Sequence, residues 1–159
     1  MKIFEIRKEV YIIMSKSNKI LSYMIKDHCK IEELINDLEN KSKIDFDSMS
    51  KSFNKFEWEL EKHIFIEEKA IFTSYKPDNI TEGFKMLPQL TNQHNFILNT
   101  INNWRDDIRN KRNITNINSF KEFLIKHKSF EEKEVYPKLD ESLSEREKKH
   151  IVSKISEII

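Results

Sequence analysis

The sequence predicts an all-α protein: an up-down-up-down four-helix bundle with a short N-terminal segment and a short C-terminal helix. Three observations predict it. The 159 residues include one glycine and three prolines, too few breakers for the many turns of a β-sandwich. Apolar residues recur at helical spacing over four long stretches. The breaks between those stretches are short, which makes sequential helices antiparallel neighbours. With 38% hydrophobic and 35% charged residues, the chain can bury a core and still cover it with charge.

The first helix is expected over about 19–39, with Leu21, Met24, Ile25, Ile31, Ile35 and Leu38 on one stripe. The second runs over about 47–74 and carries Phe53, Phe56, Leu60, Ile64 and Ile71. Pro77 and the residues up to Gly83 interrupt the pattern. A third helix starts near Phe84 or Pro88 and reaches Asn110, with Leu90, Ile97, Ile101, Trp104 and Ile108 inward. Residues 113–118 are polar and read as a loop. The fourth helix covers about 119–138, with Phe120, Phe123, Leu124 and Val135 inward. Ser144 followed by Glu147 forms a capping box that starts a short helix through about Ile155. No stretch is long enough to link a second domain, so residues 1–159 are expected to form one domain with its core over about 19–140.

Composition excludes several partners. The net charge is +1 with both signs interspersed, so neither nucleic acid nor an anionic membrane is called for. Lys2, Glu5, Arg7, Lys8 and Glu9 interrupt the apolar residues of the first 14, which rules out a clean signal-peptide core. No run approaches the roughly 20 apolar residues of a membrane span. Cys29 is the single cysteine, so no disulfide forms within the chain, and a reducing cytoplasm suits it. No nucleophilic triad, glycine-rich phosphate loop or nucleotide fingerprint is present.

Four of the five histidines fall where a core residue should be. His28 lies one turn from Met24 and Ile31, His63 follows Phe56 and Leu60, His94 lies between Leu90 and Ile97, and His127 follows Leu124. Two have a glutamate one turn later on the same face: Glu67 after His63 and Glu131 after His127. One such match is weak, since 19 glutamates in 159 residues place one there for about one histidine in eight by chance. The repetition is more specific. His28 to His63 spans 35 residues and His94 to His127 spans 33, and each second histidine has its glutamate at +4. Two buried carboxylates among four imidazoles are costly unless a cation takes them, so a dinuclear metal site between the helices is expected.

The segments HIFIEEKAIF and HKSFEEKEVYPKLDESLSE resemble the second- and fourth-helix signatures of the hemerythrin-like, or HHE cation-binding, family. The resemblance covers about residues 19–140. It implies that His28, His63, His94 and His127 bind iron and that Glu67 and Glu131 bridge two non-haem iron ions. Oxygen-carrying hemerythrins have a further histidine one turn after the helix-three histidine, where this chain has Leu98. They also have an aspartate five residues after the helix-four histidine, where Glu132 stands. Four histidines with two glutamates are closer to the branch that includes the iron–sulfur cluster repair proteins. Those usually carry a cysteine-containing N-terminal domain, which is not found here.

The expected ligand is therefore a small diatomic, O2 or NO, or peroxide, in sensing, stress response or iron–sulfur repair. A reversible oxygen carrier and a metal-free interaction module are the competing readings, and imidazole with carboxylate also suits Mn or Zn. Glu59, one turn before His63, reads as surface charge. Trp58, Trp104 and the phenylalanines read as core. His150 reads as exposed, and Cys29 as turned off the histidine face. Ile151, Ile155 and Ile159 line an apolar face that packs on the bundle or joins two copies, so the chain is expected as a monomer or homodimer.

Overall fold

The computed structural model describes residues 19–74 and 82–159, without the side chains of residue 19 and residues 82–85. The N-terminal segment and the break at residues 75–81 lie outside the described residues. Helix α1 spans Lys19–Lys41 and α2 spans Phe46–Ile66. A π-helical turn, Glu67–Ile71, and a 3-10 turn, Phe72–Ser74, continue α2. Helix α3 spans Glu82–Arg109 and α4 spans Ile117–Phe130. A second π turn, Glu131–Val135, leads into α5, Tyr136–Ser142, and α6 covers Glu145–Ile158. No strand occurs among the described residues.

Local chemistry explains the helix ends. The Asp45 carboxylate accepts the Ser48 backbone N–H at 2.7 Å, satisfying a donor that the first turn of α2 would otherwise orphan. Ser144 does the same for Glu147 at 3.2 Å, and the Glu147 carboxylate meets the Ser144 hydroxyl at 3.0 Å. The expected capping box is thus formed, and its helix runs to Ile158 rather than Ile155. Helix α4 begins at Ile117, two residues before the expected start. Asn116 takes a left-handed conformation there (φ 61°), which asparagine tolerates, and Ile117 is thereby buried. Helix α3 includes both Gly83 and Pro88; Pro88 has no backbone N–H, so its turn lacks one hydrogen bond.

Helix α1 packs on α2 and α4, and α3 packs on α2 and α5. The interior divides into layers. Toward the α1–α2 turn, Ile35, Leu38, Met49, Phe53, Phe56, Ile101, Trp104 and Phe120 form an apolar cluster. Its rings meet edge-on, Phe56 with Phe120 at 6.4 Å and Trp104 with Phe120 at 4.8 Å, the arrangement the ring quadrupoles favour. Each such side chain contributes about 1.5–3 kcal/mol through burial. A second apolar cluster lies toward the other end, built on Met24, Ile66, Ile71, Leu90, Val135 and Leu139. Helix α6 closes it with Ile151 and Ile155, whereas Ile159 is exposed.

Trp58 departs from expectation. It is 67% exposed, because it lies two residues from Phe56 and Leu60 and so on the opposite side of α2. Trp104 is buried as expected. His150 and Cys29 are exposed. Glu59 is held by Lys30 at 2.7 Å and Lys62 at 2.8 Å, outside the histidine cluster.

Candidate metal centre

Between the two apolar clusters lies one polar layer. His28, His63, Glu67, His94, His127 and Glu131 are all buried there, with Glu67, His94 and Glu131 wholly inaccessible. Helix α1 supplies His28 and α3 supplies His94, each from the inward stripe. The other four come in pairs, His63 with Glu67 and His127 with Glu131, where a helix passes into a π turn. An α-helix carries a residue four positions on about 40° around its axis. The wider turn, closed by Phe72 N–H to Glu67 O and by Tyr136 N–H to Glu131 O, takes up that drift. Histidine, glutamate and the following Ile71 or Val135 therefore all remain inward. Turns of this kind recur at functional sites.

The ligand-type atoms converge as two groups. His28, His63, Glu67 and Glu131 form one; Glu67, His94, His127 and Glu131 form the other, and within each the donor atoms lie within 4.8 Å of one another. Glu67 and Glu131 belong to both. His28 Nε2 is 3.0 Å from His63 Nε2 and 3.3 Å from Glu131 Oε1. Across the layer, His94 Nε2 is 3.1 Å from Glu67 Oε2 and His127 Nε2 is 3.0 Å from Glu131 Oε1.

Every imidazole is also held from behind. His28 Nδ1 faces Glu132 Oε1 at 2.8 Å, and His63 Nδ1 faces Asp27 Oδ2 at 2.7 Å. His94 Nδ1 faces Glu68 Oε1 at 3.1 Å, and His127 Nδ1 faces Gln93 Oε1 at 2.6 Å. Each acceptor takes the Nδ1 proton, so that Nε2 faces the centre and offers its lone pair once a metal displaces any second proton. The four acceptors obey the internal repeat. The residue before the first histidine of each half, Asp27 or Gln93, supports that half's second histidine. The residue after each glutamate, Glu68 or Glu132, supports the first histidine of the opposite half.

The electrostatics suit a cation. Burial alone would push the His28 imidazole down, but the carboxylates of Glu131 and Glu132 outweigh it and hold it at about 9. His94 likewise rises to about 9 against its burial, through Glu67, Glu131 and Glu68. Burial would raise the Glu131 carboxyl, yet Glu67 and the His127 and His28 imidazoles keep it well below its usual range. Glu67 Oε2, Glu131 Oε1 and His94 Nε2 are buried and, despite these close approaches, make no well-aligned hydrogen bond. Such orphans are costly, and a cation between them would satisfy all three. Four imidazole nitrogens with two carboxylates are a donor set for iron, manganese or zinc, so the residues present fit a metal.

Tyr136 has no place in the sequence-level reading, which took no account of the residue five positions after each glutamate. Its hydroxyl donates to Glu67 Oε1 and lies 3.3 Å from Glu131 Oε2. Its ring stacks on His28 at 6.0 Å, as Phe72 stacks on His94 at 6.1 Å. Burial, then the charges of Glu131 and Glu67, push its phenol well above the ordinary value, so it remains an O–H donor. The signal was present in the repeat: EEKAIF and EEKEVY each end on an aromatic. Glu68 and Glu132, the residues that follow the two shared glutamates, are each set against a histidine.

An all-helical bundle with two His/Glu groups sharing two buried carboxylates defines a metal-binding bundle protein. Residues 19–150 match the family model of the hemerythrin HHE cation-binding domain, and this chain belongs to that family. An "uncharacterized hemerythrin-like protein" of Schizosaccharomyces pombe is 29% identical over 146 residues, covering 91% of this chain and 70% of its own length. No solved structure was found to match the chain. Among the described residues, no helix is long and apolar enough to cross a membrane.

Proposed function

We propose that this chain holds two non-haem iron ions and reacts with O2, NO or peroxide in the cytoplasm, in sensing, stress response or iron–sulfur cluster repair. The observation that carries this reading is the sharing of Glu67 and Glu131 by two otherwise separate histidine pairs. His28 and His63 would hold one ion, His94 and His127 the other, and Glu67 and Glu131 both. Bound iron supplies a redox-active Lewis acid with positions the six side chains leave open.

The chain's own groups set what can reach it. A cavity of about 30 Å³ adjoins His28, His63 and His127 and is walled by Ile31, Ile64 and Leu124. That is room for a molecule of about one or two heavy atoms, and its apolar wall favours an uncharged diatomic. The Lys128–Glu32 pair on its α1–α4 side would screen it from bulk water. Tyr136 keeps a proton at the shared carboxylates. Leu98 packs against the apolar cluster where oxygen carriers have a histidine, which favours a reactive centre over reversible carriage.

Purification without oxygen, an iron count and visible spectra before and after air test this reading. About two irons per chain, with oxo-bridged iron bands after air, are expected. A folded protein that holds no iron and takes up none on reconstitution overturns it, and a stable reversible oxygen adduct supports the carrier reading instead. Rates with O2 and with NO then separate sensing from repair.

A further inference from the structure

The two halves of the polar layer are related by the internal repeat, and most of their parts match. His28 corresponds to His94, His63 to His127, Glu67 to Glu131 and Glu68 to Glu132. The support behind the second histidine of each half does not match. Behind His63 it is the carboxylate of Asp27 at 2.7 Å; behind His127 it is the amide of Gln93 at 2.6 Å. Both accept from the ring's Nδ1 at nearly the same distance, so they orient it alike. They differ in charge.

We propose that this difference makes the two metal positions inequivalent: Asp27 makes the position at His28 and His63 the tighter one and the first to fill. The inference rests on the two-metal reading above and adds an order to it. A carboxylate accepting an imidazole N–H makes the opposite nitrogen a stronger donor, and groups of this kind change metal affinity by about 10–100-fold. An amide fixes the ring without lending charge. Asp27 is buried, so solvent ions screen it little. After the His63 imidazole itself, Lys62 is the positive charge that bears most on it, and that ammonium is already engaged by Glu59 at 2.8 Å.

The remaining groups do not cancel the difference. Glu132 behind His28 and Glu68 behind His94 are equal in charge and both partly exposed. The His28/His63 position is therefore backed by two carboxylates and the His94/His127 position by one. The other departure from the repeat, Tyr136 in place of Phe72, is uncharged, and its hydroxyl reaches the carboxylates that both positions share.

The substitutions that test this are nearly isosteric. Apo protein is titrated with Co(II), a spectroscopic stand-in for Fe(II), and the histidine Nδ1 proton resonances report which pair is occupied. In the wild type, the first equivalent should shift the His28 and His63 protons before those of His94 and His127. D27N should weaken the first step about 10-fold and spread the first ion over both pairs. Q93E should do the same by tightening the second step, and D27N/Q93E should send the first ion to His94 and His127. A wild-type protein whose first ion spreads evenly overturns the inference. So does a D27N variant in which both steps weaken equally, the mark of a merely structural Asp27. If D27N does not fold, as judged by its Co(II)-free thermal melt, Q93E alone decides. If no Co(II) binds to the wild type, the two-metal reading itself fails.

Discussion

The aromatic layer around Phe53, Phe56, Trp104 and Phe120 and the polar layer around His28, His63, His94 and His127 are adjacent slices of one bundle, equally buried and opposite in what they contribute. The aromatic layer is self-sufficient: burying its rings stabilises the fold whatever is bound. The polar layer gathers two carboxylates and four imidazoles, and without a cation it leaves three buried polar atoms with no well-aligned hydrogen bond. The difference teaches that this bundle separates stability from chemistry along its axis. Apolar clusters at both ends hold the helices, which allows the slice between them to be arranged for a ligand. The polar layer need not be stable by itself.

The largest effect that would sharpen this contrast is in the aromatic layer. Phe56→Ala should destabilise the protein by about 3–5 kcal/mol, by the same amount with and without metal. Chemical denaturation in both states measures it, and a cost that depends on metal would show that the layers are coupled. In the polar layer Tyr136→Phe should cost about 2 kcal/mol in the metal-free protein, where the hydroxyl donates to a buried carboxylate. The cost should shrink once metal is loaded; an equal cost in both states would assign Tyr136 to packing alone.

A smaller effect should appear with pH in the metal-free protein. His28 and His94 stand at about 9 in the fold, against an unfolded value near 6.5. A raised value means that the folded state binds the proton more tightly. Their contribution is therefore complete below about pH 6.5 and is lost as pH rises through about 9. The loss should be on the order of 1 kcal/mol per group per pH unit. Melting curves at pH 6.5 and pH 9 should show the decline, and a metal-free protein that grows more stable over that range would refute this account of the layer. Phe56→Ala should keep the same slope, because it touches neither imidazole.

Much of the fold was legible in the residues. Helical spacing set the four long segments, Ser144 with Glu147 marked the start of the last one, and the apolar stripes named most of the core. What escaped was the π turns at Glu67 and Glu131, since apolar spacing is too coarse to show a single residue of extra winding. Trp58 was misread for a related reason: a residue two positions from the stripe falls on the other side of a helix whatever its hydrophobicity. The inward turn of His28, His63, His94 and His127, with Glu67 and Glu131 beside two of them, was likewise readable from the spacing.

The sequence by itself determined which face of each helix is buried and which polar residues share that face, because helix periodicity is local and encoded in a few neighbours. Only the tertiary structure decided what stands behind each histidine. Asp27, Glu68, Gln93, Glu132 and Tyr136 look like ordinary neighbours of the candidate ligands along the chain. All five bond to a group on another helix, as Glu132 does to His28 and Asp27 to His63, and Tyr136 reaches both shared carboxylates. Such partnerships depend on how the helices are placed side by side, and that placement is set by packing along the whole bundle and not by any local pattern.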